Sequence, residues 1–373
     1  MLTFGQLSYW ERTQYLEQNT FVVVGAGLVG MSTALSLKER FPNEKILILE
    51  RGYLPTGAST KNAGFACFGS PTELQDDLQN MPAEIVWQTV ELRLKGLEQL
   101  KNRVGQTAMD YRPCGSWDLL GANEPVLETD FVDALNAEMK HHFGLEHVYT
   151  IDPYVALKFG LKGFHTAYFN PYEGSINTAK LLDALYKKCI QAGIQFLFTT
   201  EVKTWQAYEQ EVEVQTQHGH LRCAHLLICT NGFAQDLFAQ ELKPARAQVL
   251  ITKPLKHQIT GTFHSERGYY YFRDIGQRIL IGGGRHLDFE TETSTVFAAN
   301  ECIRTALLSK LSHEILPGQA FEIDYEWTGI MGVGPEKKPL IRSLNKNVHA
   351  GVRMGGMGIA IGTAVGTALS KLV

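Results

Sequence analysis

Along this chain the spacing of apolar residues changes several times, and each change predicts an element. Phe21, Val22, Val23 and Val24 form an unbroken apolar, β-rich run, the pattern of a strand buried on both faces of a parallel sheet. Over 31–40, Ala34, Leu35 and Leu37 stand among polar Ser32, Lys38, Glu39 and Arg40, which predicts a helix. Ile46, Leu47, Ile48 and Leu49 give a second buried strand. Ser70, Pro71 and Glu73 supply an N-cap, an N1 proline and an N3 acid, opening a helical stretch to about residue 103 with a bend near Pro82. Residues 113–121 and 145–170 read as short strands and turns, with a helix over 125–142 between them.

An amphipathic helix over 177–192 carries Leu181, Leu185 and Cys189 on one stripe and ends at Gly193. A strand at 194–198 follows, then runs at 202–205, 212–215 and 221–229 that predict an antiparallel meander. Residues 226–232 read as a second buried strand leading into a glycine turn and a helix. Strong alternation over 245–285 predicts an antiparallel sheet, 295–311 a helix, and 321–327 a further strand. Strands at 339–341 and 348–351 precede an uncharged helix from Met354 to Ser370. A short polar lead-in over 1–19, with a helix around 8–17, precedes it all. The implied fold is α/β, α+β overall: a Rossmann-like nucleotide-binding domain over 1–100, 168–240 and 326–373, interrupted by an antiparallel-sheet substrate domain over 101–167 and 241–325.

With 373 residues, 44% hydrophobic and 20% charged, this is an ordinary globular composition with material for about two domains. A net charge of -4 provides no general positive field for nucleic acid. The six cysteines are scattered without a C-x-x-C pair or a metal-ligand spacing, which predicts free thiols, no metal, and a reducing, cytoplasmic setting. No apolar core in the lead-in suggests a signal peptide. In the last helix Gly358, Gly362 and Gly366 have G-x-x-x-G spacing, but the uncharged stretch is shorter than a membrane span and rich in Gly and Thr, so a tightly packed helix is expected.

The candidate chemistry begins at Gly25-Ala26-Gly27-Leu28-Val29-Gly30, a G-x-G-x-x-G between the first strand and the first helix. Gly25 allows the tight turn, Gly27 lets a pyrophosphate approach the backbone, and Gly30 lets helix and strand pack closely. The helix N-terminus offers free N–H groups and its positive dipole end to phosphates. Glu50, at the end of the next strand, suits a ribose hydroxyl and would repel a 2′-phosphate. The loop over 52–70 has small residues, hydroxyls, Lys61 and Asn62 at its centre, suited to a phosphate or a ring system. Phe65 to Phe68 is too apolar for a purely solvated loop. In the aromatic run, period 2 puts Tyr269 and Tyr271 on one face and Tyr270 and Phe272 on the other. One pair fills core and the other can roof a pocket, with Tyr271 as the candidate; His286 reads either as a base or as an ordinary turn histidine.

These features recur in a familiar order: the GAGLVG turn, Glu50, GASTKNAGF at 57–65, LLICTNG at 226–232, Trp327-Thr328-Gly329-Ile330-Met331-Gly332, and Arg353-Met354-Gly355-Gly356-Met357-Gly358 opening the last helix. Over nearly its whole length the chain resembles the FAD-dependent D-amino-acid oxidase superfamily, which includes glycine oxidase and sarcosine oxidase. The Ser8-Tyr9-Trp10 lead-in and the 57–64 loop are most similar to the γ-glutamylputrescine oxidase branch. The resemblance implies FAD rather than NAD, held without a covalent bond because 327–334 contains no cysteine. It implies that residues 25–30, Glu50 and Arg51 hold the ADP part. Ser59, Thr60, Lys61, Asn62, Ala63 and Gly64 would pass the pyrophosphate and flavin, with Val202, Thr230 and Gly232 on the adenosine side. Gly332 and Met354 to Gly358 would face the flavin pyrimidine edge, where a helix N-terminus stabilises negative charge on the reduced ring.

By the same resemblance Arg353 would bind a substrate carboxylate. Met331 stands where glycine-oxidase-like members carry an arginine, so one carboxylate contact is missing, which favours an amine or a bulkier substrate. The implied reaction is oxidation of a C–N bond of an amine or amino acid by hydride transfer to flavin N5, with hydrolysis of the imine and dioxygen or another acceptor as partner. The alternatives are an FAD-dependent 2-hydroxy-acid dehydrogenase, or a flavoprotein subunit that needs a partner.

Overall fold

The opening β-α-β forms from the strand Asn19–Val24, the helix Leu28–Arg40 and the strand Ile46–Leu49 in the computed structural model, which describes residues 3–256 and 259–373. The two strands pair in parallel, with Val22 opposite Leu47, and Val22 also faces Leu226 of the strand Gly219–Ile228. That strand in turn pairs in parallel with Val348–Val352, and Ile46–Leu49 with Gln195–Leu197. Five parallel strands thus lie side by side, closed at one edge by the antiparallel Leu340–Ser343. All four residues of Ile46–Leu49 are buried, as an unbroken apolar run requires in a sheet covered on both faces. The runs at 221–229 and 226–232 prove to be one strand: its first half pairs antiparallel with Val212–Thr216, its second half in parallel with Asn19–Val24.

The second eight-stranded sheet has the order Ile323–Val333, Lys243–Thr252, Arg278–Gly283, Tyr270–Ile275, Thr262–Ser265, Ser116–Gly121, Phe164–Asn170, Thr150–Asp152. It is antiparallel except where Thr262–Ser265 lies parallel to Ser116–Gly121. Thr262–Ser265 is a strand that alternation did not predict, because four residues are too few to show a period. The helix expected over 295–311 begins only at Glu301, because the Asn300 side chain caps the amides of Cys302 and Ile303. The stretch after Ser70 is two helices, Pro71–Asn80 and Ala83–Val104, broken at extended Met81 ahead of Pro82. In place of one helix the lead-in forms a 3-10 turn, Phe4–Gln6, the turn Tyr9–Glu11 and a π turn, Arg12–Leu16.

Backbone contact fixes the last helix, Gly358–Ser370. A Cβ on Gly366 would lie 2.8 Å from the Val29 carbonyl oxygen, and one on Gly362 would lie 2.8 Å from Leu28. Its glycine face therefore packs on Leu28–Arg40, and among the described residues no helix is long and apolar enough to cross a membrane. On an exposed helix, Gly→Ala stabilises by about 1 kcal/mol. Here Gly366→Ala is expected to destabilise by about 1 to 3 kcal/mol, as overpacking does, and urea unfolding of the two proteins measures the sign.

Candidate active site

Gly25, at φ 102°, turns the chain out of the first strand. Two side chains then brace the turn from outside. The Glu50 carboxylate accepts from the amides of Ala26 (3.0 Å) and Gly52 (2.9 Å), and Ser59 Oγ accepts from the Leu28 amide (3.0 Å). The N-cap residues themselves, Gly27 of Leu28–Arg40 and Met357 of Gly358–Ser370, make no side-chain cap, and Ser59 takes only the first amide of the former. Both open helix N-termini border one cavity of about 870 Å³. Such a pair of ends is electropositive and rich in unpaired N–H groups.

The structure brings most of the expected cofactor residues to this cavity. Gly25, Gly27, Leu28 and Val29 line it, with Glu50 and Arg51 beyond the turn. Ser59, Lys61, Asn62, Ala63 and Gly64 line it from the loop. Val202 and Thr230 line one end, and Met354, Gly355, Gly356, Met357 and Gly358 another. Five expected residues stand behind the wall. Ala26 is fully buried, and a Cβ on Gly30 would run into the Gly25 carbonyl. The Thr60 hydroxyl donates to the Pro55 carbonyl (2.7 Å). Gly232 packs under the Met331 carbonyl, and Gly332 against Asn231. These are close-approach positions that support the wall rather than face the cavity.

The loop is held from within and from behind. Asn62 accepts from the Gly64 amide and donates to the Ala58 and Ser59 carbonyls. Gly64 takes φ 75°, and buried Arg273 donates to the carbonyls of Gly64 (2.7 Å) and Ile176 (2.9 Å). Sequence reasoning gave Arg273 no role.

The second sheet forms the opposite wall. Tyr270 and Phe272 are core at 4% and 2% exposure, whereas Tyr269 and Tyr271 line the cavity. The Tyr271 ring lies over Gly282 on the neighbouring strand, where a Cβ would collide with it, and burial pushes its hydroxyl up to about 12. Met331 lines the same wall. His286 contacts Glu266 and the rings of Tyr269 and Tyr270 and is not among the cavity residues.

Arg353 departs from expectation. Its Nε donates to the Lys338 carbonyl (2.7 Å), one terminal nitrogen to the Glu241 carbonyl (3.0 Å), and the other faces a Glu336 carboxylate oxygen (3.5 Å). Its backbone sits at φ 66°, with the Asn231 side chain accepting from the amides of Arg353 (3.1 Å) and Met354 (3.2 Å). Arg353 lines the cavity, and its guanidinium is held by protein acceptors that fix the turn into the last helix.

The structure also assembles a polar end that no motif revealed. Cys67 Sγ, a Glu173 carboxylate oxygen and a His264 ring nitrogen lie within 4.8 Å of one another, a donor set that a divalent transition metal could accept. All three line the cavity. Glu173 accepts from the amides of Phe68 (2.7 Å) and Gly69 (3.1 Å); burial raises its carboxyl to about 7, more than these bonds lower it. Burial holds the His264 imidazole down to about 4, with Nε2 unpartnered, and pushes the Cys67 thiol well up. Beside them Arg93 (3.1 Å) and Lys337 (3.4 Å) flank Glu73. Burial would raise that carboxyl, but the two cations prevail and hold it down to about 2. The one hint in the sequence was the apolar Phe65 to Phe68 run; Glu173 and His264 lie in segments far from it.

Two open helix ends, a turn with no room for side chains and a ribose-side carboxylate fit an extended dinucleotide. Comparison with known proteins agrees. The FAD-dependent oxidoreductase family known as DAO matches residues 20–372. A probable oxidoreductase, OrdL, of Haemophilus influenzae is 20% identical over 93% of this chain and 80% of its own length. An L-2-hydroxyglutarate dehydrogenase of Escherichia coli is 25% identical over 60% of this chain and 49% of its own. The crystal structure of L-proline dehydrogenase from P. horikoshii superposes with a TM-score of 0.75 at 20% identity, covering 96% of this chain and 93% of that one. The match reaches the superfamily, and the γ-glutamylputrescine oxidase branch stays a resemblance. With nearly its whole length matched, the chain belongs to the family of FAD-dependent oxidoreductases.

Proposed function

We propose that this chain oxidises the C–N bond of an amine or amino acid. Bound FAD supplies the hydride acceptor, and a product imine is hydrolysed. The open helix ends, the glycine turn and Glu50 would hold the dinucleotide, with no covalent link needed from 327–334. Tyr269, Tyr271 and Met331 would wall the substrate, and Arg353 would position the last helix rather than touch the substrate.

The observation that carries the reading is the buried Glu173 carboxyl in the cavity wall, held by the amides of Phe68 and Gly69 with no cation paired to it among the described residues, where burial raises it to about 7. An incoming ammonium, of pKa about 8 to 10, must shed a proton before its α-hydrogen leaves as hydride, and a carboxylate of this basicity can take it. A hydroxy acid must surrender a far less acidic proton, and His264, held to about 4 without a partner, is a poor base for that. The second reading, a 2-hydroxy-acid dehydrogenase, is favoured by the similarity to L-2-hydroxyglutarate dehydrogenase.

Anaerobic mixing of the FAD-loaded protein with primary amines, N-methyl amino acids, D-amino acids and 2-hydroxy acids separates the two. Bleaching at about 450 nm by a C–N donor is expected. Bleaching by hydroxy acids alone would establish the second reading, and a protein that refuses FAD would end both.

Glu173→Gln should lower kcat/KM for the amine by at least about tenfold and erase the limb rising through pH 7. Because the folded carboxyl titrates at about 7 against an ordinary 4.5, the stability it confers is complete below 4.5 and lost as pH rises through 7. The variant should therefore gain on the wild type by on the order of 3 kcal/mol between pH 4.5 and pH 8, read as the difference in unfolding free energy.

A further inference from the structure

An arginine taken out of water without an anion is an incomplete interaction, because its charge is permanent and its five N–H groups need acceptors. Most cations around the cavity are complete. Arg93 pairs with Glu73 (3.1 Å), Lys337 with Asp77 (2.5 Å) and Arg267 with Asp76 (3.1 Å). Arg353 is spent on two carbonyls and Glu336.

Among the described residues, Arg51, Lys61 and Arg285 also line the cavity without a carboxylate partner, but Arg51 and Lys61 belong to the turn and loop expected to hold the cofactor, and Arg285 to a corner of the second sheet. Arg285 stands near Tyr269 and is half-buried. Among the described residues, no carboxylate pairs with its guanidinium and no protein group accepts a hydrogen bond from it. Its guanidinium carbon lies 4.6 Å from the centroid of the Phe289 ring. Glu292, a carboxylate that raises its pKa only from a distance, is fully buried and committed to Arg246 through two contacts (2.7 and 2.9 Å) and to Asn300 (2.9 Å). Burial accordingly lowers the Arg285 pKa, the direction of a desolvated cation without a full counter-ion.

The backbone that presents Arg285 is fixed. The strand Arg278–Gly283 ends at Gly283 (φ 115°) and Gly284 (φ 77°), conformations that suit glycine. The Gly284 amide donates to the Tyr269 carbonyl (2.9 Å), and the Leu287 amide to the Gly284 carbonyl (3.0 Å). Arg285 therefore projects from a rigid corner beside the two wall tyrosines. Met331, the position where the resemblance leads one to expect an arginine, lines the same cavity without a charge.

We infer that Arg285 receives the carboxylate of the substrate, so that the amine oxidised is an amino acid. The inference rests on the C–N reading above for the word amine, but the carboxylate site can be tested without turnover. A planar guanidinium fork matches a carboxylate in two parallel N–H···O bonds.

The test titrates FAD-loaded protein with benzoate and with its neutral amide, benzamide, following the flavin spectrum and the heat of binding. The wild type should prefer benzoate by at least about tenfold, as hydrogen bonds to a charged group do. Arg285→Gln should bring benzoate down to the benzamide level with benzamide unchanged, and Arg285→Lys should keep part of the preference. Arg267→Gln, which removes a cavity arginine already paired with Asp76, should keep all of it. Should the glutamine variant fail to hold FAD, the lysine variant decides by the same comparison, since it retains the charge but not the fork. A wild type without preference, a preference left undiminished by Arg285→Gln (or, where that variant holds no FAD, by Arg285→Lys), or one that vanishes with Arg267 alone overturns the inference. If amines bleach the flavin while amino acids have no advantage over their decarboxylated amines, the C–N reading stands and this inference falls. If only 2-hydroxy acids bleach it and the Arg285-dependent preference persists, the carboxylate site stands and the C–N reading falls.

Discussion

Everything at the cavity depends on the close approach of two helices. Gly358–Ser370 lies against Leu28–Arg40 through Gly366, where a side chain would meet the Val29 carbonyl, and Gly362, where it would meet the Leu28 side chain. That packing brings two open N-termini, from opposite ends of the sequence, to one cavity. Each end alone is a weak anion site. Together they give an extended, anionic ligand two electropositive anchors, and the parallel sheet behind them fixes their separation.

The far end of the cavity obeys a different constraint, the cost of burying charge. Glu73, Arg93 and Lys337 remain ionised because each offsets another's desolvation. Glu173 has no cation at hand and sits instead against two amides, so its proton affinity rises into the neutral range. His264 has no counter-charge in contact and stays neutral. Ion pairing and isolation thus divide the buried acids into one that stays charged and one able to exchange a proton. This division is the usual sign that a polar cluster is more than scaffolding.

What could be read in advance follows from how local each feature is. The turn at Gly25 to Gly30, the strand ending at Glu50 and the 57–64 loop are each written within a few consecutive residues. Most of those positions do reach the cavity. The exceptions, such as Gly30 and Gly232, share the glycine requirement but meet backbone instead of cavity, a distinction one dimension does not contain. Cys67, Glu173 and His264 come from three segments, one of them the unpredicted strand Thr262–Ser265, so no spacing rule could join them. The face on which Tyr271 lies was legible, because period 2 decides it.

Arg353 shows a subtler limit. Its place before the last helix was legible from the motif, but its reach was not. The left-handed backbone at φ 66° and the carbonyls of Lys338 and Glu241 turn the guanidinium into the protein. Locking that turn orders Met354 through the shared Asn231 acceptor and so orders the N-terminus of the helix that follows. With its Nε and one terminal nitrogen held by backbone carbonyls, this guanidinium keeps one orientation and serves the turn. A carboxylate-bearing substrate would therefore require a second cation on the opposite wall, mounted on a separate element, so that cofactor geometry does not change as substrates come and go. Arg285, on its glycine corner in the second sheet, meets that condition.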